Sequence, residues 1–229
     1  MEKLVYLINR KPTLDKKAFG SAILDQMVPA LQQAGAYWLT VNIADMDEAM
    51  DTPKTLTPRI YGAWTSVSAA IHFWVDSIDT RSRYEAIMAD VAQDLSGYLV
   101  TESIVQSINR TWLGRKRRPG VTQFALGKKP AAATDEHFYH HWQEIHSPWS
   151  FELHPNRISY VRNAVARVLT PGAEPWRFIV LEHFMLEDFT DENRYYASAE
   201  AVERLWKEAP DFVDIDDYAG GPMSEYYFE

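Results

Sequence analysis

The sequence predicts an α+β fold made of two tandem β-α-β-β-α-β units. A repeat at a fixed offset and the same order of apolar runs in each half predict it. His72-Phe73 returns as His183-Phe184 and Arg83-Tyr84 as Arg194-Tyr195, both pairs 111 residues apart (183 − 72 and 194 − 83). Between the pairs, Trp74-Val75-Asp76 stands where Met185-Leu186-Glu187 stands in the second half. Lys11-Pro12 and Lys129-Pro130 close the first strand of each half at equivalent places. Self-similarity of this kind marks a repeated structural unit, and β-α-β-β-α-β is the split pattern of a ferredoxin-like domain. The halves divide as 1–114 and 115–229.

In the first half, the apolar run 3–10 reads as a strand. Residues 13–34 read as a helix, with Phe19, Ile23, Met27 and Leu31 at four-residue spacing and Pro29 predicting a kink or an early end. Strand 36–43, a loop over 45–66, strand 69–76, helix 80–95 and strand 97–109 complete the unit. That helix places Tyr84, Ile87, Met88, Val91 and Leu95 on one face. In the second half, strand 120–127 precedes a helix from Thr134, and strands 158–169 and 177–186 follow. A helix over 191–209 carries Tyr195, Ala199, Val202, Trp206 and Ala209 as its apolar stripe, and a short strand ends the chain at Ser224–Phe228. Each unit leaves one sheet face bare, and two units in one chain cover each other sheet to sheet. The expectation is a barrel-like pseudo-dimer within one polypeptide.

Composition narrows the function. At 46% apolar residues with 8 Trp, 12 Tyr and 10 Phe, the chain buries a core, which rules out a disordered protein. A formal charge of −9 repels phosphate backbones, so nucleic acid is not an expected partner. The basic run Arg115-Lys116-Arg117-Arg118 reads as a solvated linker between Gly114 and Pro119-Gly120. The absence of cysteine removes disulfides and thiolate chemistry. No apolar run reaches the roughly 20 residues of a membrane span, and the first residues lack a secretory cleavage pattern. The expected setting is cytoplasmic. Glycine-rich phosphate loops, dinucleotide fingerprints and nucleophile elbows are also missing, which removes kinase, nicotinamide-dehydrogenase and serine-hydrolase chemistry.

Four of the seven histidines fall within residues 137–146. His137 and His141 share a helix face, as metal ligands do, yet no nearby carboxylate completes a motif, since Glu144 faces His140; no metal is expected. Phe138, Trp142, Ile145 and Trp149 form an inward stripe on which flanking histidines have no chemical duty. The third reading is acid–base work. His146 lies one turn after Trp142, beside the buried stripe, and Ser147-Pro148 is expected to end the helix there. That would place His146 at a helix C-terminus, where the dipole favours its charged form.

The run Phe138-Tyr139-His140-His141-Trp142, then His146-Ser147-Pro148, then Ile158-Ser159-Tyr160-Val161-Arg162-Asn163 resembles the signature of the EthD family, within the dimeric α+β barrel superfamily. The resemblance covers residues 120–229. The first half departs from it: its helix has no Trp or His at the motif positions, and only Asn42 stands in the manner of Asn163. The resemblance implies a cofactor-free lyase, isomerase or cyclase acting on a small hydrophobic aromatic, lactone or polyketide-like carbonyl compound. Relatives of this kind also include cofactor-free oxygenases, haem proteins and non-catalytic binding modules. It further implies His146 as general acid/base, with His141 and His183 as secondary candidates. Phe138, Trp142 and Trp149 would form the pocket wall, while Tyr160 and Asn163 would bond a carbonyl or enolate oxygen. Positions 160 and 163 differ in strand parity, so without a bulge one of those two assignments fails. A homodimer is compatible with this architecture.

Overall fold

The structure is a computed structural model that describes residues 1–49, 62, 67–106 and 112–229. Eight strands form it: β1 (Glu2–Arg10), β2 (Tyr37–Ile43), β3 (Ala69–Val75), β4 (Ala92–Gln106), β5 (Val121–Gly127), β6 (Ser159–Val168), β7 (Phe178–Phe184) and β8 (Ala219–Phe228). They close into one barrel in the order β1-β3-β2-β8-β5-β7-β6-β4, every pairing antiparallel. The first four strands run β4-β1-β3-β2 and the last four β8-β5-β7-β6, the same order in each half. The halves join edge to edge through β2–β8 and β4–β6, so no strand edge is left unpaired.

Alternation along the strands makes two apolar layers. Val5, Leu7, Phe124, Leu126, Val161, Val165, Ile179 and Leu181 pack together inside the barrel. The opposite parity faces the helices. Leu4, Tyr6, Ile8, Ile71 and Phe73 meet Phe19, Ile23, Met27 and Leu31 in the first half. Ala125, Tyr160, Phe178 and Val180 meet Phe138, Trp142 and Phe212 in the second.

The helices are α1 (Lys16–Ala22), α2 (Val28–Gln33), α3 (Ser82–Met88), α4 (Asp135–His140), α5 (Ser147–Leu153), α6 (Leu186–Phe189), α7 (Glu192–Tyr195) and α8 (Ala199–Glu208). Asp15 caps α1 through the Ala18 N–H (2.7 Å), and Thr134 caps α4 through the His137 N–H (3.1 Å). A π turn joins each long helix into one rod, Ile23–Met27 between α1 and α2 and His141–His146 between α4 and α5.

These π turns correct two sequence expectations. Pro29 does not end its helix, and Ser147-Pro148 does not end the second one. A proline has no N–H for the carbonyl four residues back. The chain takes in one extra residue instead: the Val28 N–H reaches Ile23 O and the Ser147 N–H reaches Trp142 O, five residues back. His146 is therefore mid-rod, and the helix-terminus argument for its charge falls away.

Four further expectations change. The helix expected over 80–95 stops at Met88, because Leu95 pairs with Ile8 in the β1–β4 ladder. The helix expected over 191–209 breaks after Tyr195 and restarts at Ser198, which caps α8 through the Ala201 N–H. Arg118 is not solvated: it is buried against Glu225 and Ser159, both at 3.0 Å, where an unpaired carboxylate would be costly. The last strand also starts earlier than expected and takes in Gly220, where a Cβ would stand 2.8 Å from Phe124 O on β5. Residues 50–61 and 63–66 of the expected loop, and 107–109 of the expected strand, lie outside the described residues. Among the described residues no helix is long and apolar enough to cross a membrane.

Candidate functional site

A cavity of about 410 Å3 lies between the helix-facing side of the second-half sheet and the helices over it. Trp142, Phe178, Phe212, Tyr195, Tyr196 and Tyr218 supply most of its aromatic wall, and Trp206 and Ile215, each 42% exposed, also line it. Gln123, His146, His154, Tyr160, Glu182 and Asp216 are its polar lining. Among the described residues no Lys or Arg lines it. This is the composition of a small-molecule pocket, mostly apolar with a few placed polar groups.

His146 enters the cavity from the π turn. Its Nδ1 stands 3.2 Å from Glu208 Oε1, and its ring is held by Phe212 (4.6 Å) and the edge of Trp149 (6.0 Å). Burial pushes the Glu208 carboxyl up, but the His146 hydrogen bond and charge, His141 and Arg204 outweigh it and hold it below the usual range. Glu208 is thus an anion at neutral pH and accepts a hydrogen bond from the Nδ1–H, which leaves Nε2 as the ring's acceptor in the neutral tautomer. A carboxylate behind an imidazole fixes the tautomer and stabilises the imidazolium formed on proton uptake. His141 shares this carboxylate, with Nε2 3.4 Å from Glu208 Oε1, and stacks on Phe212. It does not line the cavity. His137 bonds Asp211 O through Nε2 (3.2 Å), and His140 pairs with Glu144 at 3.3 Å.

A second imidazole comes from the end of α5. His154 is buried against Phe184, Tyr195 and Tyr196, with Nδ1 2.9 Å from Tyr195 O. Burial takes its pKa down to about 4, with Arg157 and His146 adding to the effect against Glu182 and the Tyr195 carbonyl. Glu182 is paired to Arg157. Burial raises its pKa, yet Arg157 and His154 more than offset this and keep it ionised.

The remaining candidates separate by strand parity. Tyr160 lines the cavity; Asn163 faces the barrel interior, where it accepts from Lys3 Nζ (2.9 Å) and donates to Ile179 O (3.1 Å). Tyr160 is also less available than expected. Ser147 donates its one hydroxyl proton to Trp142 O (2.8 Å) and accepts from Arg162 (2.7 Å), so the Tyr160 hydroxyl donates to Ser147 at 3.2 Å. His183 lies inside the barrel, bonded to Thr122 Oγ1 and Pro119 O, each at 2.8 Å, and burial lowers its pKa to about 4. Its place is away from the cavity. Phe138 and Trp149 are buried behind the cavity wall rather than in it. Glu208, His154 and Glu182 had not been singled out in the sequence.

No protein-family model and no curated protein matches the chain. Solved structures do. A candidate monooxygenase from Fusobacterium nucleatum superposes with a TM-score of 0.53 at 10% identity, covering 100% of this chain and 92% of its own. An anthrone oxidase-like protein gives a TM-score of 0.52 at 11% identity, covering 98% and 90%. The chain has the fold of these two proteins. At such identity the likeness shows the fold alone.

Proposed function

We propose that the second-half cavity is an active site in which His146 removes a proton from a small neutral aromatic carbonyl compound, and that dioxygen then oxidises the resulting carbanion. The observation that carries this is an imidazole backed by a half-buried carboxylate and opening into an aromatic cavity with no cation among its described lining residues. The Nδ1–H donates to Glu208, so Nε2 is the base. The stoichiometry closes with dioxygen as the only oxidant. An activated CH2 loses a proton, the carbon gains a hydroperoxide, and loss of water leaves a ketone. One oxygen atom stays in the product and the other leaves as water.

The EthD-type resemblance of residues 120–229 supports the acid–base part, because Trp142 and His146 meet in this cavity. The names of the fold neighbours support oxidation over lyase, isomerase or cyclase chemistry. We further propose that residues 1–114 and 115–229 are two copies of one unit, the first without a site. The described residues do not fit haem. A porphyrin would bring two carboxylates of its own, and the charged groups lining the cavity are Glu182 and Asp216.

Oxygen uptake with anthrone as substrate, without added metal or haem, tests the reading. The protein is expected to consume oxygen and form anthraquinone. The His146→Ala variant should lose roughly 10²–10⁴-fold in rate, the range of a general base. Proton exchange at the CH2 without oxygen uptake would return the assignment to isomerase-type chemistry. Full activity in the variant would refute the role of His146.

A further inference from the structure

The two imidazoles of the cavity are built for different tasks. His146 is backed by a carboxylate and is suited to taking up a proton. His154 is backed by a main-chain carbonyl, Tyr195 O at 2.9 Å. A carbonyl only accepts, so the Nδ1 of His154 carries the hydrogen and its Nε2 carries a lone pair. The ring is 7% exposed, and it makes no further hydrogen bond to the described residues. Its charged form is disfavoured by burial and by the Arg157 guanidinium. His154 therefore stays a neutral acceptor at neutral pH. Glu182, ionised and also lining the cavity, adds a second acceptor. With no Lys or Arg among the described lining residues, an anionic ligand finds no cationic side chain there to pair with, and it meets Glu182 and Asp216.

We propose that His154 is a specificity-determining residue that accepts a hydrogen bond from a hydroxyl on the ligand, so that the cavity selects neutral hydroxylated aromatic compounds. The proposal rests on reading the cavity as the site of function, but it needs no turnover. A ligand without the donor leaves the buried Nε2 unpaired, and that loss is where the discrimination arises. A ligand with a carboxylate in place of the hydroxyl has no proton to give His154 Nε2 and meets no Lys or Arg among the described lining residues.

Calorimetric titration with naphthol, its methyl ether methoxynaphthalene, and naphthoate tests it. Naphthol is expected to bind the wild-type protein roughly tenfold tighter than methoxynaphthalene, the worth of one buried hydrogen bond. Naphthoate should bind weakest. In His154→Phe the preference for naphthol over its ether should vanish. Equal binding of naphthol and methoxynaphthalene to the wild type would overturn the proposal, as would an unchanged preference in His154→Phe. Should that variant fail to fold, the wild-type pair of affinities decides the matter alone. Loss of oxygen uptake with these affinities intact would count against the proposed reaction and leave the selectivity standing. No binding of any of the three probes would overturn both.

Discussion

The two long helical rods, residues 16–33 and 135–153, share one plan and differ in what stands beside them. Phe19, Ile23, Met27 and Pro29 correspond to Phe138, Trp142, His146 and Pro148, each pair 119 positions apart (138 − 19 to 148 − 29). Both rods widen into a π turn before the proline. In the first half, Ile23 and Met27 are buried in a continuous core with Tyr84 and Met88 of α3. In the second half, the chain that follows β7 stops at Tyr195 and resumes as α8, none of whose residues is fully buried. The space that α3 closes in one half stays open in the other, and an imidazole stands where a methionine fills the first. A frame of this kind is made solid or hollow by a few side chains and one helix break, with the barrel unchanged.

The largest expected effect follows from importing the first half's residue into the second. His146→Met should keep the fold and lose turnover by roughly 10²–10⁴-fold, read from initial oxygen-uptake rates. Next is packing. Ile23→Ala, in the solid half, should cost about 2–5 kcal/mol in urea unfolding. Leu205→Ala, partly buried beside the cavity, should cost under about 1 kcal/mol, since little of its surroundings collapses. Equal losses would erase the contrast between filled and hollow halves.

Acid should weaken the fold through its buried neutral imidazoles, His72 in the first half, whose pKa burial also lowers, and His154 and His183 in the second. His154 and His183 each titrate at about 4 in the folded chain, against roughly 6.5 when unfolded. Between those values the unfolded chain binds more protons. Stability is therefore fully present above about pH 6.5 and is lost as pH falls toward 4, by on the order of 3 kcal/mol per group. Urea midpoints measured from pH 7 to 4.5 should fall, and His154→Phe should flatten the slope. On turnover, Glu208→Gln should have a smaller effect than His146→Met. Losing one charge-assisted hydrogen bond behind His146 should slow oxygen uptake roughly ten- to hundredfold, with unfolding little changed.

Much of the fold was legible because apolar runs and four-residue periodicities report burial directly. The run 3–10 and the stripe through Phe19 and Leu31 survive intact in β1, α1 and α2. Trp142 and His146 were readable as neighbours for the same reason. What pairing and long-range contact decide was not legible. Leu95 fits a helical stripe, but it serves the β1–β4 ladder. Arg118 looked like a surface charge until Glu225, 107 positions on, took it into the barrel. Glu208 lies 62 positions from His146, on a helix whose break at Tyr196–Ser198 leaves only a weak trace in Ser198 as a capping residue. His154 sits one residue before Pro155 at the end of a helix, a signal of a chain reversal but not of a cavity.

A crystal structure of the protein with a hydroxyanthraquinone tests the central claim most directly. The ligand is expected in the second-half cavity, its ring against Trp142, its hydroxyl on His154 Nε2 and its opposite side toward His146. A ligand lodged inside the barrel or on the first-half rod, with that cavity filled by Trp206, would contradict the claim.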